Sequence, residues 1–392
     1  MELGFWKKIK KPFLAMAPMA DVTDAAFRRM FVKYSKNETS FSVIPAEAGI
    51  QSESINDYVT WTEFVSADGL CLAPEEGRKR LLRAFDYIEA ERPIVAQIFG
   101  SNPEHIERAV AMVRELGFDG VDINMGCPDR SVEKQKAGAA LIKNPELAKE
   151  IILSAKRGAK GKDRVIPVSV KTRIGYNKDE LEKWLPKILE AEPALVTIHA
   201  RTRKEMSLVP ARWERIKRAV EIRDEVYERL HPTKFLSLHH SDTNNAGQSP
   251  MTKILKGKEK TLIAGNGDVS SREDALLKIK ESGADGAMVG RGIFGNPWFF
   301  SIDKRSDLKN LKRSDLKKDD NYIFVEEKLN ALVEHTKLFE ELCEYKNFSV
   351  MKKHYKAYCH GFDGAKELRI KLMEAESGEE VENLIKNFKI KM

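Results

Sequence analysis

A chain of 392 residues, 42% of them apolar, can bury a large core and suits a globular enzyme with one big domain and a smaller one. No apolar run approaches the roughly 18 residues of a membrane span. The net charge of +7 is modest for this length but unevenly placed.

In chain order, short apolar runs alternate with helical patterns. The opening "MELGFWKKIKKPFLAMAPMA" could pass for a signal peptide, but Pro12 and Pro18 interrupt it and a charged helix follows, so it reads as a first strand. Eight strand candidates follow one another: 13–18, 63–68, 93–99, 120–125, 166–172, 195–200, 261–266 and 286–291. They are continuously apolar, as strands of a parallel sheet covered on both faces should be. The clearest helix is "NPEHIERAVAMVRELG", with Asn102 as N-cap, Pro103 in the first turn and Gly117 at the stop. Its buried stripe is expected at Ile106, Ala109, Val110, Val113 and Leu116. Eight strand–helix units predict a (β/α)8 barrel over 1–300 rather than a doubly wound sheet. Two stretches, 42–61 and 223–260, read as insertions, the second with part of a strand at "KFLSLHH". A charged linker over 301–321 then leads to a small all-helical domain over 322–392, where Ser377 and Glu380 form a possible capping box.

Cys71, Cys127, Cys343 and Cys359 show neither metal-ligand spacing nor a disulfide pattern, which points to a reducing cytoplasm and no metal. Two basic clusters stand out. Residues 156–173 hold seven basic residues and one acid, and 201–218 seven basic residues and two acids. They are either solvated helix faces or contacts for a polyanion, with Arg203 and Lys204 the proposed phosphate ligands. In the helical part, "KNFSVMKKHYK" (346–356) mixes lysines with Phe348 and Tyr355. It reads as an RNA-facing segment, or as core aromatics with solvated lysines.

Barrel enzymes carry their chemistry at the carboxyl ends of the strands. Those ends supply Ala17, Pro18 and Met19 from the first strand, Gln97 from the third, Asn124 and Cys127 from the fourth, Lys171 and Arg173 from the fifth, and His199 and Arg201 from the sixth. The seventh ends in "GNGD", with Asn266, Gly267 and Asp268, and the eighth in "GRG", with Gly290 and Arg291. Glycine loops after strands seven and eight are where barrels often hold a phosphate. Lys171 either neutralises an anion there or is a surface lysine. His199 is either a cofactor contact or a core histidine, and Gln97 either meets a flavin edge or makes a structural hydrogen bond.

These residues carry a resemblance. "FLAMAPMADVTDAAFR", "INMGCPDRSVEKQKAGAALI", "VSVKTRIG", "VTIHARTR", "IAGNGDV" and "GADGAMVGRGIFGNPWFF" resemble, in order and spacing, the tRNA-dihydrouridine synthase family over about 12–300. The likeness continues weakly through "MKKHYKAYCHGFDGAKELR". It implies an FMN-containing barrel and a helical tRNA-binding domain, acting as a cytoplasmic monomer. The implied reaction is NADPH-dependent reduction of the C5–C6 double bond of tRNA uridine, with hydride passing from FMN N5 to C6. It further implies Cys127 as proton donor to C5, Asn124 and Arg173 at the uracil edge, and FMN held by Gln97, Lys171, His199, the "GNGD" loop, Gly290 and Arg291. A thiol with an ordinary pKa near 8.5 is mostly protonated at neutral pH and can donate. Gly126 permits close approach of the chain, and Pro128 fixes the turn. One departure is visible: Met206 and Ser207 stand where many relatives carry Gly-Tyr. Two other classes stay open at this point. One is an FMN barrel that reduces a free alkene or nucleobase; the other is an RNA-binding barrel without a cofactor.

Overall fold

The computed structural model describes residues 2–35, 58–232, 259–301 and 318–388. Eight parallel strands close a barrel in chain order: β1 (Phe13–Met16), β2 (Tyr58–Ser66), β3 (Ile94–Phe99), β4 (Gly120–Met125), β5 (Val168–Arg173), β6 (Leu195–His199), β7 (Leu262–Asn266) and β8 (Gly286–Val289), with β8 pairing back onto β1. Nearly every strand residue is buried, because one face meets the barrel interior and the other the surrounding helices.

Those helices are α1 (Ala25–Ser35) after β1, α2 (Ala67–Leu72) and α3 (Glu75–Leu82) after β2, and α4 (Pro103–Glu115) after β3. Then come α5 (Arg130–Lys134) and α6 (Pro145–Gly158) after β4, α7 (Leu181–Leu189) after β5, α8 (Glu214–Leu230) after β6 and α9 (Arg272–Ser282) after β7. The chain ends in α10 (Lys318–Leu342), α11 (Lys352–Tyr358), α12 (Ala365–Glu374) and α13 (Gly378–Lys386). The caps follow their chemistry. Asn102 accepts from the Glu104 and His105 N–H groups at the start of α4, and Gly117 takes φ +87° just after its end.

Several boundaries differ from the sequence reading. Residues 58–61 are not loop: Tyr58, Val59, Thr60 and Trp61 are buried in β2, whose register shifts between Trp61 and Phe64. Their β-branched and aromatic character supports a strand, but it lies beside a polar stretch that masks the start. Residues 223–230 complete α8 rather than opening an insertion, while "KFLSLHH" lies outside the described residues. Leu116 is half exposed, because α4 ends one residue earlier. Most of the expected linker is likewise outside the described residues, and α10 begins within it at Lys318. At α13 the Ser377 hydroxyl accepts from the Glu380 N–H, but the Glu380 carboxylate bonds the Glu376 N–H rather than closing the box on Ser377.

The helical segment shares its core with the barrel. Phe27, Met30 and Phe31 of α1 and Trp298, Phe299 and Phe300 pack in one cluster with Leu329, Leu332, Phe339, Tyr355 and Leu372. Among the described residues, no helix is long and apolar enough to cross a membrane.

Candidate active site

Alternation along β4 and β5 turns Asp122 and Asn124, and Ser169, Lys171 and Arg173, to one side of the sheet. Register then sets them beside their neighbours: Gln97 pairs with Asp122, Asn124 with Lys171, Arg173 with His199, and His199 with Asn266. A polar band therefore runs round the carboxyl half of the barrel.

Its centre is a buried network. The Gln97 amide donates to Asp122 Oδ2 at 2.6 Å and accepts from Asn124 Nδ2 at 2.9 Å, while Ser169 Oγ donates to Asp122 Oδ1 at 2.6 Å. Burial raises the Asp122 carboxyl to about 6, against the pull of Ser169, Gln97 and Lys171. Burial also lowers Lys171 to about 8, assisted by the neighbouring Arg173. His199 is held neutral, its pKa well below the usual value through burial and the cations Arg173 and Lys171.

Asn124 also builds the turn that carries the thiol. Its Oδ1 accepts from the Gly126 N–H at 3.1 Å and the Cys127 N–H at 2.9 Å. From the other side Arg173 Nε donates to the Gly126 carbonyl at 2.8 Å. A Cβ at Gly126 would lie a tight 3.3 Å from the Thr172 backbone, so glycine lets the turn sit close against β5. Cys127 is partly buried against Phe99, Val132 and Ala137, and that burial raises its pKa. The thiol is thus held protonated rather than as a thiolate.

Beside this turn lies a cavity of ≈ 670 Å³, within the range of a cofactor site. Four cationic side chains face it, Lys171, Arg173, Arg201 and Arg291, against the single carboxylate of Asp268. Asp268 is anchored by Arg201 and by the Ala211 N–H, and Asn266 Nδ2 donates to the Met288 carbonyl at 2.7 Å. Gly267 takes φ +121° and its carbonyl accepts from Trp213 Nε1 at 2.8 Å, so the loop after β7 is pinned. At Gly290 a Cβ would meet nothing nearer than 3.7 Å, which leaves backbone open to the space. This charge balance and these loops fit an anionic group.

The chain matches the family model described as dihydrouridine synthase over residues 15–226 and 250–391. It belongs to the dihydrouridine synthase family. It is 33% identical over 395 residues to a probable tRNA-dihydrouridine synthase of Staphylococcus aureus (strain COL), covering all of this chain and 98% of the relative. It is equally similar, over 394 residues, to probable tRNA-dihydrouridine synthase 2 of Bacillus subtilis (strain 168), again with 98% of the relative covered. Among solved structures, morphinone reductase in complex with tetrahydroNAD aligns with a TM-score of 0.43 at 12% identity, over 83% of this chain and 92% of that one.

Set against the family motifs, the expected residues divide into three groups. Ala17, Pro18, Met19, Lys171, Arg173, His199, Arg201, Asn266, Gly267, Asp268, Gly290 and Arg291 line the cavity together. Gln97, Asn124 and Cys127 stand beside it, the first two committed to the buried network. Arg203 and Lys204 lie off it. Arg203 is paired with Glu133 of α5 at 2.5 Å and lies over the Tyr176 ring, so it braces the turn after β6, while Lys204 is exposed. One expectation about the basic segments needs correction, and another divides between core and solvent. Lys156, Arg157, Lys160, Lys162 and Arg164 precede β5 and sit at the amino face of the barrel, because the preceding helix runs antiparallel to the strands; only Lys171 and Arg173 reach the site. In 346–356, Met351, His354 and Tyr355 are buried and Lys346 is bound to Glu63 at 2.7 Å, while Lys353 and Lys356 are exposed, so core side chains and solvated lysines share the stretch. Asp122 was missed by sequence reasoning. Its signal is a carboxylate inside the apolar strand "GVDINM", two residues before Asn124 on the same face.

Proposed function

We propose that this member of the family reduces the C5–C6 double bond of uridine in tRNA to dihydrouridine, with NADPH as reductant and FMN as cofactor. The cation-lined cavity fits the anionic phosphate of FMN. Gly290 and Arg291 would hold that phosphate with the "GNGD" loop, while Lys171 and the neutral His199 face the remainder. Bound FMN would supply the hydride that adds to uracil C6. The protein's own part is the proton. Cys127 gives its Sγ proton to C5 as the C5–C6 π bond is lost, and the resulting thiolate takes a proton back from solvent. NADPH is oxidised to NADP⁺ in the overall balance. Lys171 and Arg173 favour that thiolate while it exists, since both act on the thiol electrostatically.

The observation that carries this reading is the Cys127 turn, fastened by Asn124 and Arg173 beside the cavity, with a thiol kept protonated by burial. A general acid is typically worth 10²–10⁴-fold. Cys127→Ala is therefore expected to bind FMN and oxidise NADPH normally while forming dihydrouridine at least ~10²-fold more slowly. The assay uses tRNA from a strain lacking the gene, and near-normal product formation by the variant refutes the assignment. The same reaction assigns the protein to the cytoplasm, where its RNA resides.

A further inference from the structure

The turn after β6 presents an apolar tip to water at the rim of the cavity. Residues 206–210, "MSLVP", are all exposed, and Leu208 is 86% exposed. Runs of exposed apolar residues are unusual on a protein surface and mark places that something else covers. Met206 and Ser207 line the cavity, so the tip continues directly from it.

The tip is braced. Arg201 Nε donates to the Val209 carbonyl at 2.5 Å and Arg173 Nη1 to the Met206 carbonyl at 3.2 Å, and both arginines also line the cavity. The Leu208 N–H donates to the Glu205 carbonyl at 2.9 Å, and the Glu205 carboxylate is held by the Thr202 N–H and by Arg212. Arg203 joins the same turn to Glu133 of α5 and, at 3.5 Å, to the Pro128 carbonyl in the loop that carries Cys127. An apolar tip held in fixed register with the cavity and with the proton donor is a built feature. An exposed cation, Lys204, stands two residues before Met206. That combination matches a nucleobase stack flanked by phosphates.

We propose that Leu208, with Met206 beside it, is the wedge that fills the gap in the RNA stack when the target uridine turns out into the cavity. This rests on the tRNA-reductase reading above. Extruding a base from its stack is uphill, and apolar side chains such as Leu and Met inserted at the vacated step offset part of that cost. Leu208 is a positioning residue: it acts on the neighbours of the reacting base, not on the base itself.

The test uses the full-length, FMN-loaded protein and two tRNAs, after the wild type's product position has been mapped. One tRNA is intact; in the other, the two nucleotides flanking the target uridine are abasic, so there is no stack to fill. Leu208→Ala is expected to lower kcat/KM on the intact tRNA by ~10-fold or more, the scale of one lost base contact. On the abasic tRNA, Leu208→Ala and wild type are expected to act at equal rates. Leu208→Met restores most of the activity on intact tRNA, and NADPH-driven flavin reduction stays the same throughout. Equal loss on both tRNAs, or no loss on the intact one, overturns the proposal. A wild-type protein that makes no dihydrouridine in intact tRNA refutes instead the reading on which the proposal rests.

Discussion

Lys171 shows how one side chain links burial to function. Its side chain is half-buried in the cavity wall at the end of β5, and desolvation there lowers its pKa to about 8, well below the usual lysine value of 10.5. A depressed lysine pKa means that the charged form costs stability: the contribution is present above the unfolded pKa and is lost as pH falls through about 8. The charge becomes useful when an anion enters, because the anion raises that pKa again. Flavin affinity should therefore be steady at neutral pH and fall as the pH rises past about 8, as the free protein loses the lysine proton that binding requires. Quenching of flavin fluorescence, titrated between pH 7 and 9.5, checks this. Constant affinity across the range would show that Lys171 does not meet the anion. Asp122, kept partly protonated by burial, titrates nearer 6 and marks a separate, more acidic limb.

At the scale of the element, the loops after the strands are set by what packs beneath them. Gly265 in β7 is one such place. A Cβ there would lie 2.3 Å from Cζ3 of Trp213, and the same indole donates to the Gly267 carbonyl. Backbone conformation does not demand glycine at this position; the ring does. Gly265→Ala must push Trp213 out and with it the anchor of the "GNGD" loop. Overpacking of this kind typically costs ~1–3 kcal/mol. The variant is expected to unfold at lower urea concentration and to lose flavin on gel filtration, whereas retained flavin with unchanged stability would show that the ring can shift freely. The β2 start follows the same logic. Tyr58 stacks on Phe300 with centroids 4.2 Å apart, a tertiary contact no local pattern announces.

For the whole molecule, the junction of barrel and helical segment matters most. Lys346 lies between Glu63 at 2.7 Å, Asp24 at 3.6 Å and Asp21 at 3.6 Å. Burial works to lower its pKa, but Glu63 and Asp24 hold it above the usual lysine value, so it stays charged. Glu63 and Asp24 are nearly inaccessible, and removing their cation leaves buried carboxylates uncompensated, a change worth ~3–5 kcal/mol. Lys346→Ala is therefore expected to loosen the helical segment, seen as faster proteolysis within 318–388 than in wild type. Equal cleavage rates would mean that the shared apolar core suffices alone. That core also bears on division of the chain: ending it near Ser301 would expose Phe27, Phe31 and Phe300, which the helices cover.

The order of eight strands, the capped α4 and the set of residues around the cavity were legible in the sequence, because each rests on local chemistry. Continuous apolar runs mark parallel strands, Asn-Pro marks a helix start, and strand ends mark the active face of a barrel. The family motifs, "NMGCP" above all, lie on those same ends. What only the tertiary structure decided depends on partners distant in the chain. Arg203 was legible as a cation but not as the partner of Glu133, 70 residues away. Lys346 was legible as part of a basic stretch, yet it meets a carboxylate 283 residues away. The cluster at 156–164 was legible as charge, while its position on the amino face follows from the path of a helix. Charge is a property of the residue, but whether it is solvated, paired or turned toward a ligand depends on what the fold places opposite it.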